Sequence, residues 1–272
     1  MSELIKWSGS KESQSNKIIE YFPDDIETYF EPFVGGGSVF LKLLEKNMKI
    51  KNYIISDINN ELIEVYKLIK DNPERLISTY AEHHKLFNSS DIQQRKNYFM
   101  DVRDSFNKER LPEDFYFIMR TTTNGMPRYN RSGDFNNSCH FSRPGMNPID
   151  VEKIIVKYNK LFNENNITFL CKSYKELDFG NENDFVYLDP PYENTKGMYF
   201  GGFQNDVFIE WTNTIKCRFA LSYDGKVNDD KINHISPNYV RHFYLTSGNS
   251  SFRRVVGNSN DSIVSESLYL NY

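Results

Sequence analysis

Apolar residues recur along the 272-residue chain at two spacings, and the switches between them mark out the elements. Ile18 to Phe22 predicts the end of a short helix stopped by Pro23, and Thr28 to Phe33 predicts a strand running into Val34-Gly35-Gly36-Gly37-Ser38. Val39, Phe40, Leu43 and Leu44 then repeat at helical spacing, with Asn47 as the stop. Tyr53 to Ser56 predicts a second strand with Asp57 at its carboxyl end, and a helix follows from about Asn60 to Lys70. This β-α-β-α opening is the start of a parallel sheet. From Pro73 to about Asp114 the pattern is helical and charged, which predicts a helical insertion; Thr121 to Pro148, rich in Thr, Asn, Gly, Ser, Pro and Arg, predicts a hairpin or ordered loop. A helix (Val151 to Phe162) and a strand (Thr168 to Cys171) resume the alternation, and the apolar run Phe185 to Leu188 ends abruptly in Asp189-Pro190-Pro191-Tyr192. Later strands are expected at Phe219 to Ser222, Val240 to Leu245 and Ser267 to Leu270. The chain carries no internal repeat, and its length fits one core with a sizeable insertion.

Composition narrows the function classes. Lys and Arg total 33 against 37 Asp and Glu, a net charge of −4, so any nucleic-acid surface must be a local patch. A hydrophobic content of 39% supports a buried core, and the longest apolar runs fall far short of the roughly 18 residues that span a membrane. Cys139, Cys171 and Cys217 form no CxxC pair, which argues against a disulfide framework or structural zinc and for a reducing cytoplasm. Met1 to Lys11 has the character of neither a signal nor a transit peptide. His83-His84, without a nearby cysteine or spaced carboxylates, reads as a solvated helix face, and no metal is expected.

Two motifs carry candidate chemistry. The turn Phe33 to Ser38 between strand and helix lets a ligand approach the backbone, but it lacks the Lys-Ser/Thr of a phosphate-binding loop. Phe40 also occupies the place of the last small residue of a dinucleotide fingerprint. A crevice for another small ligand remains, with Asp57 twenty residues after Gly37 able to hold ribose hydroxyls; the alternative is a tight turn and a helix cap. In the second motif the paired prolines end a buried strand, so the Asp189 carboxylate and Pro190 carbonyl project from its carboxyl edge beside Tyr192. Two such acceptors can hold the hydrogens of a planar exocyclic amine and favour a pyramidal nitrogen with a free lone pair, while Tyr192 stacks on the base. A turn capped by Asp189 is the simpler alternative.

Taken in order, Lys6-Trp7-Ser8-Gly9-Ser10-Lys11, Glu31-Pro32-Phe33-Val34-Gly35-Gly36-Gly37-Ser38, Asp57 and Asp189-Pro190-Pro191-Tyr192 resemble the Dam-like DNA adenine-N6 methyltransferases across nearly the whole chain. Ser10 departs from that family's frequent second glycine. The resemblance implies a Rossmann-like doubly wound methyltransferase sheet at 1–70 and 150–272, with a helical and β-hairpin target-recognition insertion at 71–149. It implies S-adenosyl-L-methionine as cofactor, contacted by Trp7, Lys11, Phe33, Gly35, Gly37, Asp57, Ser173, Tyr174 and Asp189, and a catalytic set of Asp189, Pro190 and Tyr192.

Arg120-Thr121-Thr122-Thr123-Asn124-Gly125-Met126-Pro127-Arg128-Tyr129-Asn130 resembles the target-recognition hairpin of the same family, which assigns Arg120, Asn124, Met126, Arg128, Asn130 and Arg131 to double-stranded DNA. Arg128 can donate two hydrogen bonds to guanine and Met126 can pack on a thymine methyl. From Tyr116 to Pro148, four arginines face one aspartate, a local charge of +3 that supplies the required patch; a solvated basic loop is the other reading. Arg253-Arg254 could meet phosphates or flank the last strand. The expected activity is site-specific adenine-N6 methylation of a flipped base by a cytoplasmic monomer, with room for more than one copy on DNA. Cytosine-N4 or RNA-adenine methylation, and a catalytically idle DNA reader, are the alternatives.

Overall fold

A computed structural model describes residues 3–88, 91–140, 142–191, 203–227, 230–231, 238–247 and 264–272. Tyr192 and Arg253-Arg254 lie outside the described residues. Five parallel strands form the heart of one sheet: β1 (Thr28–Glu31), β2 (Asn52–Asp57), β3 (Ile167–Cys171), β4 (Asp184–Leu188) and β5 (Arg218–Val227). Parallel strands are covered on both faces, and β4 accordingly has every residue buried. Beyond β5 the sheet turns antiparallel through β8 (Val264–Leu270) to β7 (Arg241–Ser247), with the short β6 (Asp230–Lys231) pairing β5.

Strand order is β3-β2-β1-β4-β5-β8-β7. From β1 the chain first builds outward through β2 and β3, then returns to place β4 and β5 on the other side of β1. The order therefore reverses between β1 and β4, and a sheet of this kind opens a crevice at the carboxyl ends of the two strands that flank the reversal. Both motifs singled out in the sequence lie there, since the glycine turn follows β1 and Asp189 follows β4.

Helix α2 (Ser38–Lys46), after α1 (Ser15–Ile19), buries Val39, Phe40, Leu41, Leu43 and Leu44 and stops at Asn47, whose left-handed backbone (φ 50°) ends the helix as expected. The Phe40 ring is fully buried against Tyr53, Phe162 and Phe169, a burial that stabilises by about 1.5–3 kcal/mol. Helix α3 (Asn60–Asp71) is capped by Asn59, whose side chain accepts from Leu62 N at 2.8 Å.

The insertion consists of α4 (Pro73–Asn88), α5 (Ile92–Glu109) and α6 (Pro112–Thr121), packed on one another and on α3 and α7 (Pro148–Glu164). Every residue of α6 from Glu113 to Thr121 is buried, so this helix is the insertion's own core. His83 sits there too, against the expectation of a solvated face. Its ring shares hydrogen bonds with Tyr98 Oη at 2.8 Å and Asp114 Oδ1 at 3.0 Å and stacks on Phe117, linking α4, α5 and α6. The loop after α6 folds back on itself through the single bridges Thr122 to Cys139 and Tyr129 to Phe135. One helix was not foreseen, α8 (Asn205–Thr212), which is short and buries Phe208, Ile209 and Thr212 beside Tyr174 and Trp211.

Candidate active site

The glycine turn is held from three sides. Gly35 N donates to Asp57 Oδ2 at 3.1 Å, Val34 N to Ser56 O at 3.0 Å, and the buried Tyr66 hydroxyl to Gly35 O at 2.9 Å. Gly35 and Gly37 take positive φ (47° and 71°), and a Cβ on Gly35 would meet the Trp7 indole at 2.8 Å. Glycine is needed because the backbone here is a wall against which Trp7 lies. Asp57 also accepts from Asn59 N at 3.0 Å, which leaves carboxylate lone pairs for a hydroxyl-bearing ligand. Burial pushes its carboxyl up to about 6, with the backbone N–H bonds pulling the other way.

This wall belongs to a cavity of about 560 Å³, a size typical of small-molecule sites. The structure gathers around it every residue that the resemblance assigned to the cofactor: Trp7, Lys11, Phe33, Gly35, Gly37, Asp57, Ser173, Tyr174 and Asp189. Phe33 and Tyr174, ring centroids 5.3 Å apart, form an aromatic side continued by Phe203. Pro190 lines the same cavity.

At the β4 end, Lys11 is almost fully buried and pairs with Asp189 Oδ1 at 2.9 Å and Glu266 Oε2 at 3.6 Å. Glu31, at the end of β1, is buried beside them and accepts from the Tyr29 hydroxyl at 2.5 Å. Burial pushes the Glu31 carboxyl up to about 8, the Tyr29 hydrogen bond pulling the other way and the Asp189 charge reinforcing the rise. Neither Glu31 nor Glu266 was given a role from the sequence. Glu31 stood inside a quoted motif, whereas Glu266 has no local signature. It reaches Lys11 because β8 runs beside β5, where a bulge sets Glu266 alone against residues 224 and 225.

The recognition residues divide. Asn124, Arg128, Asn130 and Arg131 are exposed and Met126 half-buried. Arg120 corrects the sequence reading: it is 7% exposed, and its guanidinium donates to Glu3 O, to Leu4 O at 2.6 Å and to the Tyr116 hydroxyl. The cause is its place in a helix buried on all sides, where an arginine must be satisfied by internal carbonyls. Arg120 thus anchors the amino-terminal segment, and the patch keeps Arg128, Arg131 and Arg143 against Asp134. Asn130 closes a turn, its Oδ1 accepting from Ser132 N and Asp134 N, both at 2.9 Å. Arg128 is braced by Asn136 through Nε to Oδ1 at 2.9 Å and Nη2 to O at 3.2 Å.

Among the described residues, no group of three or more His, Cys, Asp or Glu could hold a metal, and no helix is long and apolar enough to cross a membrane. Residues 7–255 match the family described as D12 class N6 adenine-specific DNA methyltransferase. Similar proteins include the type II methyltransferase M.MjaIII of Methanocaldococcus jannaschii, 36% identical over 203 residues that make up 70% of this chain and 68% of that protein. The type II methyltransferase M1.LlaDCHI of Lactococcus lactis is 31% identical over 199 residues, 70% of this chain and 65% of its own length. A DNA adenine methylase of Vibrio cholerae is 33% identical over 198 residues, 70% of this chain and 64% of its own. The chain thus spans about two thirds of the length of these curated relatives.

Proposed function

Because the chain belongs to the D12 class N6 adenine-specific DNA methyltransferases, we propose that its cavity binds S-adenosylmethionine and that it methylates N6 of an adenine flipped out of a short duplex sequence. The observation that carries this reading is the convergence, at the sheet's reversal point, of the Asp189 and Pro190 acceptors with the Trp7, glycine-turn and Asp57 wall of one cavity. The donor set fits the cofactor: Asp57 suits ribose hydroxyls, the aromatic and apolar walls suit a base, and carboxylates outnumber cations as a sulfonium requires. When bound, S-adenosylmethionine supplies an electrophilic methyl group.

This chain's own residues act on the acceptor. Asp189 Oδ and the Pro190 carbonyl accept the two amino hydrogens of the flipped adenine and free the nitrogen lone pair for in-line attack, after which one of those two protons is released to solvent to leave a neutral methylamine. Lys11 Nζ pairs with one oxygen of the Asp189 carboxylate at 2.9 Å and so helps to hold that side chain in place. Tyr192 is assigned the face of the flipped base. No covalent enzyme intermediate is required. Residues 71–149 carry target recognition, and the protein acts as a cytoplasmic monomer without a metal.

The test is the destination of a tritiated methyl group offered together with duplex DNA and with RNA. Label recovered from the duplex as N6-methyladenine supports the reading. Label in RNA alone, or specific DNA binding with none, overturns it.

Two further results are expected. Cofactor affinity should fall as the pH drops from 7 through about 6, because protonated Asp57 loses an acceptor; Asp57→Asn should flatten this part of the dependence in titration calorimetry. With Nε and one Nη2 bond fixed by Asn136, Arg128 can offer its outer edge to a guanine. Arg128→Ala should therefore relax discrimination at one base pair by about 1–3 kcal/mol, measured as kcat/KM on a set of single-substitution duplexes.

A further inference from the structure

Arg110 occupies an unusual position. It ends α5 in the left-handed conformation (φ 55°, ψ 34°), its N–H bonded to Phe106 O at 2.8 Å. Glycine or asparagine is the ordinary occupant of such a helix end, and a large side chain is retained there at a conformational cost. The side chain reaches in two directions from this point. Nη1 donates to Glu61 Oε1 at 3.3 Å, at the start of α3 just beyond Asp57, and Nη2 donates to Gly133 O at 2.7 Å in the recognition loop. Asp134 lies 3.9 Å from the same guanidinium, which rests over the Phe106 ring.

A second tie runs parallel to the first. Asn59, which caps α3, donates to the Tyr129 hydroxyl at 3.3 Å, and Tyr129 packs edge-on against Phe135 across the loop. Asn107 of α5 grips that same Phe135, accepting from its N–H at 2.7 Å and donating to its carbonyl at 3.1 Å. Arg110, Glu61, Asn59, Tyr129 and Gly133 all line the cavity. One wall of the cavity is therefore the back of the recognition loop.

We propose that Arg110 is a positioning residue that couples the two ligands, so that filling the cavity orders the loop 126–136 for DNA, and DNA on the loop firms the cavity wall. The physical basis is shared ordering: a ligand that fixes Glu61, Arg110 and Gly133 together lowers the ordering cost left for the second ligand. The inference rests on the reading of this loop as the DNA-recognition element.

The experiment is a binding cycle on the full chain, with S-adenosylhomocysteine as the cavity ligand and a duplex that the wild type methylates as the DNA ligand. In the wild type, S-adenosylhomocysteine should tighten duplex binding by about 5- to 100-fold, and the duplex should tighten S-adenosylhomocysteine binding by the same factor. In Arg110→Met that factor should drop to below twofold, and Arg110→Lys, which can reach one partner at a time, should recover part of it. A merely structural role would weaken both ligands and leave the factor unchanged, which would overturn the proposal. Should Arg110→Met fail to fold, Glu61→Gln decides, since it keeps the side chain's size and removes the charge that Arg110 meets; a full factor there overturns the proposal equally. A wild type that methylates DNA with a factor of one sinks the coupling alone, whereas a wild type that never engages DNA sinks the functional reading beneath it.

Discussion

Replacing Asp189 by alanine is expected to lower the rate of methyl transfer by about 10²- to 10³-fold while leaving S-adenosylmethionine binding largely intact. Asp189 supplies one of two acceptors at the nitrogen where charge develops, and removing a preorganised partner of a developing charge typically costs 10²–10³ in kcat. The side chain's oxygen is also held 2.9 Å from Lys11, so an asparagine at this position would keep the shape but lose that ion pair. The fold should survive the alanine variant, because Lys11 keeps Glu266 at 3.6 Å as a counter-charge. Single-turnover kinetics and equilibrium cofactor binding, measured on the same preparations, separate the two effects. Near-normal turnover by Asp189→Ala would remove the proposed mechanism.

Gly37→Ala should cost stability and cofactor affinity together. At φ 71° an alanine carries a left-handed penalty of about 1–2 kcal/mol, and its Cβ would stand 2.5 Å from the Tyr66 hydroxyl. That hydroxyl is buried and donates to Gly35 O, so displacing it loses a hydrogen bond worth about 0.5–1.5 kcal/mol and loosens the turn that backs Trp7. The expected sum is about 2–3 kcal/mol, or roughly 5–10 °C in Tm for a chain of this size. Cofactor affinity should fall at least about tenfold. Gly9→Ala is the control, because Gly9 shares the positive φ (82°) but has nothing within 4 Å of a Cβ. A Gly37→Ala protein that melts like the Gly9→Ala protein would show that the Tyr66 contact does not matter.

These two positions were legible in the sequence because their chemistry is local. A glycine turn after a strand, a carboxylate at the next strand's end and a strand broken by two prolines each announce themselves within a few residues. The alternation of strand and helix then fixed where both motifs had to meet, at the reversal between β1 and β4. Arg120 was misread for a physical reason. Its neighbours in sequence are polar on one side, Thr121 to Asn124, but the surroundings of α6 are decided by packing against α3, α4 and α5, which the linear pattern does not contain. His83 was misread in the same way, its partners Tyr98 and Asp114 lying on two other helices.

Glu266 and Arg110 show the opposite limit. Neither sits in a motif, and each matters only through residues far away in the chain, brought close by an antiparallel strand at a bulge in one case and by a helix end in the other. A left-handed arginine has no sequence signature at all, since the ordinary signal for that backbone is a glycine. The aromatic lining was half visible: Phe33 and Tyr174 were expected, while Phe203 and the short helix α8 that packs on it through Phe208 were not.

N6 of adenine in DNA is the methyl acceptor of the family to which this chain belongs. The most direct measurement is to incubate the purified protein with unmethylated genomic DNA and S-adenosylmethionine, digest to nucleosides, and map modified bases by single-molecule sequencing. N6-methyladenine is expected, confined to a short repeated motif and lost in Asp189→Ala. N4-methylcytosine, or unmodified DNA despite demonstrable cofactor binding, would contradict that expectation.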